Sequence, residues 1–149
     1  MSKSMENCKY VLTEKWFVGS NYEYYKQRWE NKTAGKLYLS WNWAGFFLGI
    51  SWMFYRKMYL EVSVALTIIL IFIFFPFNLG VYEFLAGTLK IIMALFGNAF
   101  YHFRFKRVID KTKTLTKNEA NDYIQKHSGT SILAAILFQC VATALCFLF

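Results

Sequence analysis

Apolar residues fall in blocks along the chain. VSVALTIILIFIFFPF fills residues 62–77, FLAGTLKIIMALFGNAFYHF residues 84–103 and ILAAILFQCVATALCFLF residues 132–149. Each block is near the ~20 residues that a bilayer-spanning helix needs, the first once residues 58–60 are added ahead of Glu61. A fourth run, SWNWAGFFLGISWMFY, has an apolar part at residues 41–55, about 22 Å long as a helix against a hydrocarbon core of about 30 Å. That is short for a crossing. The pattern predicts an all-α, small polytopic membrane protein. It has about three transmembrane helices, over about 58–77, 84–103 and 132–149, and an aromatic interfacial or re-entrant helix at 41–55.

The polar stretches carry helix signals of their own. Ser20 with Glu23 is a capping-box pair and Gly35 a left-handed stop, which predicts an amphipathic helix over 21–34. Thr116 with Glu119 repeats the signature and Gly129 closes a second short helix over 117–127. Thr130 and Ser131 then cap the last span. The chain divides at this level into a basic N-terminal segment, 1–39, and a membrane domain, 40–149, whose loop 104–131 is polar.

Charge sets the topology. Of the 17 Lys and Arg, seven precede Ser40, two are the pair Arg56 and Lys57, seven lie between Arg104 and Lys126, and Lys90 stands alone. Basic clusters flanking spans stay on the cytoplasmic side. If all three clusters obey that rule, residues 41–55 enter and leave on one face, with both short polar helices and the N-terminus in the cytoplasm and the C-terminus outside. Trp41, Trp43, Trp52, Tyr55, Arg56 and Lys57 are then the interfacial anchors, and anionic headgroups are the expected partner of the +8 net charge rather than nucleic acid. The alternative is a thinned-bilayer crossing by 41–55, which would put the N-terminal tail outside.

Composition changes the picture little: 56% of the 149 residues are hydrophobic and 21% aromatic, too apolar for a single soluble core with a polar coat. No secretory signal peptide is expected from the polar first 40 residues. Cys8, Cys140 and Cys146 are too scattered for a disulfide framework or a metal site, so no metal and no cofactor are assigned. His102 and His127 sit in no nucleophile or general-base pattern, and the chain is read as a non-enzyme.

Two features remain as candidate sites. On the second long block, Glu83, Lys90, Asn98 and Tyr101 share one helical side with small residues, and Gln139 of the last block lies near the depth of Lys90. Lys90 is expected to pack against the last span as part of this intramembrane stripe, or to snorkel toward Glu83. Tyr22, Tyr25 and Trp29 form an aromatic helix face, either packing on the interfacial helix or binding a partner. Gly45 and Gly49 form a GxxxG that serves a dimer contact or packing within the chain.

Phe17, Tyr24, Tyr25 and Trp29, then SWNWAGFF with Gly49 and Trp52, YRKMY, Gly97-Asn98 with Tyr101, and Gly129-Thr130-Ser131 resemble a bacterial family of small inner-membrane proteins catalogued as a domain of unknown function. The resemblance spans about 17–131, with the string from SWNW to YRKMY its specific part. Gly45 stands where Ala is commoner in that family and Ile50 where Pro is common, which leaves 41–55 free to be one continuous helix. The resemblance implies the bacterial inner membrane and no activity. The expected role is a non-enzymatic, oligomeric accessory or scaffold protein with a membrane-protein partner or further copies of itself. The alternative is a channel or membrane-permeabilising effector lined by the Lys90 stripe.

Overall fold

The computed structural model describes residues 13–30, 39–75 and 78–148. The expected helix end at Ala34, the Gly35 stop, Cys8, Pro76 and Phe149 lie outside them. Every regular element among the described residues is a helix. In order these are α1 (residues 13–18), the 3-10 turn Gly19–Asn21, α2 (Tyr22–Glu30), α3 (Trp43–Leu48), α4 (Ile50–Tyr55), α5 (Tyr59–Ile73), α6 (Leu79–Thr112), α7 (Lys117–His127) and α8 (Ile132–Leu148). Contacts group the chain into two compact units: an apolar unit of Leu39–Phe100 with Thr130–Phe149, and a basic unit of the residues up to Tyr38 with Tyr101–Gly129. The polar loop that the sequence assigns to the membrane domain therefore folds with the N-terminal residues.

In the apolar unit, the single helix expected over 41–55 is two helices of six residues each. The break is at Gly49, whose φ of 51° and ψ of −122° lie in a region that side chains with a Cβ avoid. Absence of Pro at position 50 did not secure continuity, because a glycine one residue earlier supplies the bend. Asn42 starts α3: its side chain accepts from the Gly45 amide at 2.9 Å. The end of α4 is a Schellman motif, in which the Met58 amide bonds the Met53 carbonyl at 2.9 Å and the Lys57 amide the Phe54 carbonyl at 3.0 Å. Lys57 occupies the left-handed position, φ 56°, that glycine usually takes, so nothing in YRKMY advertises the turn.

The long helices depart from the expected spans. α5 is 15 residues, about 22 Å, and ends at Ile73. α6 runs 34 residues, about 51 Å, well past both ends of 84–103. Ser131 caps α8 through its hydroxyl to the Ala134 amide at 3.3 Å, while its own amide bonds the Tyr55 carbonyl at 2.8 Å. Among the described residues, two helical stretches are long and apolar enough to cross a bilayer: Leu79–Thr112, and Lys117–Ala144, which takes in α7, the bend at 128–131 and most of α8. Only 11% and 0% of their apolar stretches are buried, and this outward apolar surface suggests association with a membrane. The fold is thus all-α with two such stretches; α5 falls short of the length a third would need.

The basic unit is built on rings. Tyr25 and Trp29 of α2, spaced at i and i+4, interleave with Tyr101 and Phe105 of α6, also at i and i+4. Phe17 of α1 closes the group. α7 covers the residues that the Thr116–Glu119 pair predicts. The Glu119 carboxylate accepts from the Thr116 amide at 3.0 Å and the Thr116 hydroxyl at 2.7 Å. Before α2 the chain makes the 3-10 turn, with Ser20 inside it, so the α-helix proper begins at Tyr22 rather than Asn21.

Two outcomes follow. A Cβ at position 45 would meet the Met93 carbonyl oxygen at 2.7 Å, whereas one at Gly87 meets nothing within 4 Å. Gly45→Ala should lower stability in detergent by about 1–3 kcal/mol and Gly87→Ala should change it by less than about 0.5 kcal/mol, read by thermal unfolding. The Thr116 hydrogen bonds hold the Glu119 carboxyl below its ordinary value of 4.5. Its stabilising effect is therefore present above 4.5 and is lost as pH falls through the lower folded value. Protection of the α7 amides, taken against the intrinsic exchange rate at each pH, should fall in acid, and Glu119→Gln should abolish that fall.

Candidate functional site

The small and polar side of α6 splits in two. Its lower half is filled by the chain itself. Residues preceding α3 lie along α6 in extended form, and the Ser40 and Asn42 amides donate to the Leu95 and Ala94 carbonyls at 3.2 and 2.7 Å. The Asn42 amide group donates to the Asn98 Oδ1 at 3.0 Å, and Asn98 Nδ2 donates to the Ser40 hydroxyl at 2.8 Å. Asn42 and Asn98 are buried. Gly97 leaves the room this dock needs: a Cβ there would come to 3.0 Å from the Asn42 amide nitrogen and 3.4 Å from the Trp52 ring. Close approach of backbones at glycines, with side-chain amides hydrogen-bonded across helices, is how helices associate where the surroundings are apolar. Gly45, against Met93, is packed within the chain, and Gly49 serves the bend rather than a helix face.

The upper half of the same side, Glu83 and Lys90, is exposed. Among the described residues Lys90 has no hydrogen bond or ion pair, so the expected burial of Lys90 against the last span is corrected. Gln139 accepts instead from the Ser51 hydroxyl at 2.8 Å, and Phe138 stacks on Phe54 at 4.6 Å, which seats α8 on α4. The stripe fails as one surface because α3 and α4 occupy the place that helical periodicity alone assigned to α8. Tyr101 also leaves the stripe; it belongs to the basic unit, buried among Phe17, Tyr25 and Trp29.

Tyr22, Tyr25 and Trp29 are all buried, with Tyr25 and Trp29 against Tyr101, His102 and Phe105 of α6. A face consumed in the core offers nothing to a partner. His102 stacks on Trp29 at 4.7 Å. Arg104 is buried beside Phe17 and donates to the His127 carbonyl at 2.6 Å, so α6 adds a cation at the C-terminal end of α7. His127 itself turns its Nδ1 to the Tyr123 carbonyl at 2.8 Å.

Of the interfacial set, Trp43 is 62% exposed and Trp41 38%, in one aromatic group with Phe46 and with Phe47, which is 71% exposed. Tyr55 and Lys57 are half-buried. Trp52 and Arg56 are buried and cannot anchor at a headgroup layer: Trp52 faces Gly97, and the Arg56 guanidinium lies 5.5 Å from the Tyr55 ring. Residues that sequence reasoning passed over are Ser40, Asn42, Ser51 and Arg104. Asn42, immediately before the first helical residue, carried the one readable signal, an N-cap type.

Both the aromatic core and the dock fall within residues 10–107, the stretch matched by the family described as Protein of unknown function (DUF2628). The chain belongs to that family. No curated protein and no solved structure matches it. The DUF2628 match takes in α1 to α5 and α6 as far as Arg107, and leaves α7 and α8 beyond it.

Burial first, then the carboxylates of Glu14, Glu23 and Glu30, raise the Tyr22 hydroxyl above its ordinary 10.0. That hydroxyl is buried with no hydrogen-bond partner among the described residues. Tyr22→Phe removes an unsatisfied group and should be neutral or stabilising by up to about 1 kcal/mol, whereas Trp29→Ala should cost about 3–5 kcal/mol. Chemical unfolding of the two variants in one detergent reads both.

Proposed function

We propose that the chain is a non-enzymatic accessory or scaffold protein of the bacterial inner membrane, acting as an oligomer through outward apolar surfaces of its membrane helices and a rigid basic unit on the cytoplasmic side. What carries this reading is the segregation of charge and apolar surface. The basic unit holds 14 of the 17 Lys and Arg, with Lys106, Arg107, Lys111, Lys113 and Lys117 exposed. The apolar unit exposes Ile68, Ile71, Phe84, Ile132 and Leu133. Clustered lysine and arginine favour an anionic leaflet, at about 1 kcal/mol per residue close to it. In this reading α5, α6 and α8 enter the bilayer, α5 with its polar flanks thinning it or α5 and its turn tilting within it, and α3 with Trp41 and Trp43 lies at the headgroups. The exposed bases supply the contact with a partner.

The second reading, a channel or membrane-permeabilising effector, draws on one observation, the outward placement of Lys90 between exposed Phe84 and Ile91. An ammonium on lipid costs about 3 kcal/mol or more at mid-membrane, so Lys90 reaches for the headgroups or faces a neighbouring copy across water.

One measurement tests the orientation and a second separates the two readings. Cys8 should resist an impermeant thiol reagent in intact cells while Asn78→Cys reacts; a reactive Cys8 overturns the orientation. Vesicles holding the purified chain should show ion flux equal to empty vesicles, with Lys90→Leu unchanged; flux that Lys90→Leu abolishes supports the channel.

A further inference from the structure

The upper half of the outward side of α6 carries two charges that nothing among the described residues satisfies. Glu83 and Lys90 are both exposed, and neither makes a hydrogen bond or an ion pair there. Seven residues apart on one helix, they stand about 20° apart around its axis and about 10 Å apart along it. Their neighbours on the surface are apolar: Phe84 is 73% exposed and Ile91 50%. Ala86 and Gly87 lie between the two charges, and a Cβ added at Gly87 would meet nothing within 4 Å, so the space over that stretch is open. Thr88 bonds the Phe84 carbonyl at 2.9 Å and asks for no further partner. One turn below Lys90 the chain's own cover begins, at Ala94, whose carbonyl takes the Asn42 amide. α6 starts at Leu79, so in a bilayer Glu83 lies nearer the membrane surface than Lys90, whichever way the helix points.

We propose that this face binds the headgroup of a zwitterionic phospholipid, with the phosphate on Lys90 and the ammonium on Glu83. The order of the charges decides it. In such a lipid the phosphate lies nearer the hydrocarbon and the ammonium farther out, and α6 offers a base deeper in and an acid farther out. Helical side chains lean toward the N-terminal end, here toward the surface, so the four-carbon stem of Lys90 lifts its ammonium to meet a phosphate. The same lean carries the Glu83 carboxylate away from Lys90, which opposes a direct ion pair between the two. An anionic glycerol headgroup offers Lys90 the same phosphate but brings no cation for Glu83, and its net charge is repelled there. A second copy fits less well, because two α6 helices of one orientation set Lys90 against Lys90 and Glu83 against Glu83. An inverted copy would pair the charges but would carry the basic unit across the bilayer, against the rule that clustered bases share the cytoplasmic side. The proposal rests on the reading that α6 lies in a bilayer.

The test uses the full chain in vesicles of phosphatidylethanolamine and phosphatidylglycerol, doped in turn with either lipid carrying a diazirine near the ester end of one acyl chain. After photolysis and digestion, the ethanolamine probe should exceed the glycerol probe about fivefold at residues 83–91, relative to their ratio at Ile132 and Leu133 of α8. Glu83→Gln should bring the two probes to parity there and Lys90→Met should lower both, with helicity intact by circular dichroism. Exchanging the charges, Glu83→Lys with Lys90→Glu, keeps composition and net charge but reverses their order, and should abolish the ethanolamine excess. An excess that survives the exchange overturns the proposal, and so does a probe ratio equal on α6 and α8 in a wild-type chain that floats with the vesicles. Disulfide cross-linking of copies through Gly87→Cys, in a chain otherwise without cysteine, that rises with the protein-to-lipid ratio makes the occupant a second chain and also overturns it. A chain that fails to float overturns the membrane reading, and the proposal with it.

Discussion

The pair Asn42 and Asn98 holds together most of what surrounds it. Within an apolar unit the Asn42 Nδ2 donates to the Asn98 Oδ1, and the Asn98 Nδ2 donates in turn to the Ser40 hydroxyl. Burying a side-chain amide without a partner costs about 1–3 kcal/mol on protein scales, so the two asparagines are stable there only together. Their meeting requires the approach that Gly45, Ala94 and Gly97 permit. It also requires the chain to bend at Gly49, so that α4 can turn Trp52 over Gly97 and offer Ser51 to Gln139 of α8. One hydrogen-bonded contact thereby ties α3, α4, α6 and α8 into one unit.

The basic unit uses a different adhesive. Its residues are short of aliphatic side chains and rich in rings, and the two i, i+4 ladders on α2 and α6 give four aromatic residues that pair in edge and offset geometries. Such pairs contribute about 0.5–1.5 kcal/mol each beyond the area they bury. Arg104 fastens α7 to the same core through the His127 carbonyl. The unit turns Lys106, Arg107 and Lys111 outward and most of its rings inward, while Arg104 is buried beside Phe17.

Legibility in the sequence followed the range of the forces involved. Local signals survived: the Thr116–Glu119 cap and α7 residue for residue, the Ser131 cap of α8, the apolar blocks as helices, the family. Each depends on neighbours within about one turn. Where several elements compete for one surface, periodicity was not enough. The small sector of α6 around Asn98 was visible, but its occupant was assigned to α8 by depth, since nothing in SWNW says that Ser40 and Asn42 bond back across more than fifty residues. Tyr22, Tyr25 and Trp29 formed a true face whose partner, α6 beyond Tyr101, was hidden because the spanning block was ended at Phe103 rather than carried to Thr112. Trp52 and Arg56 carried the composition of interfacial anchors while the Schellman turn at Lys57, a non-glycine in a left-handed position, folded them inward.

The dock between the asparagines is the central claim, and a double-mutant cycle measures it most directly. Asn42→Ala, Asn98→Ala and the pair would be unfolded in a single mild detergent and their stabilities compared. The structure predicts that each single change costs about 1–3 kcal/mol and that the double change costs less than their sum by about 1 kcal/mol or more, since the first loss already orphans the second amide. Additive effects, with no coupling beyond about 0.3 kcal/mol, would mean that the two side chains do not meet and would contradict the account of the apolar unit.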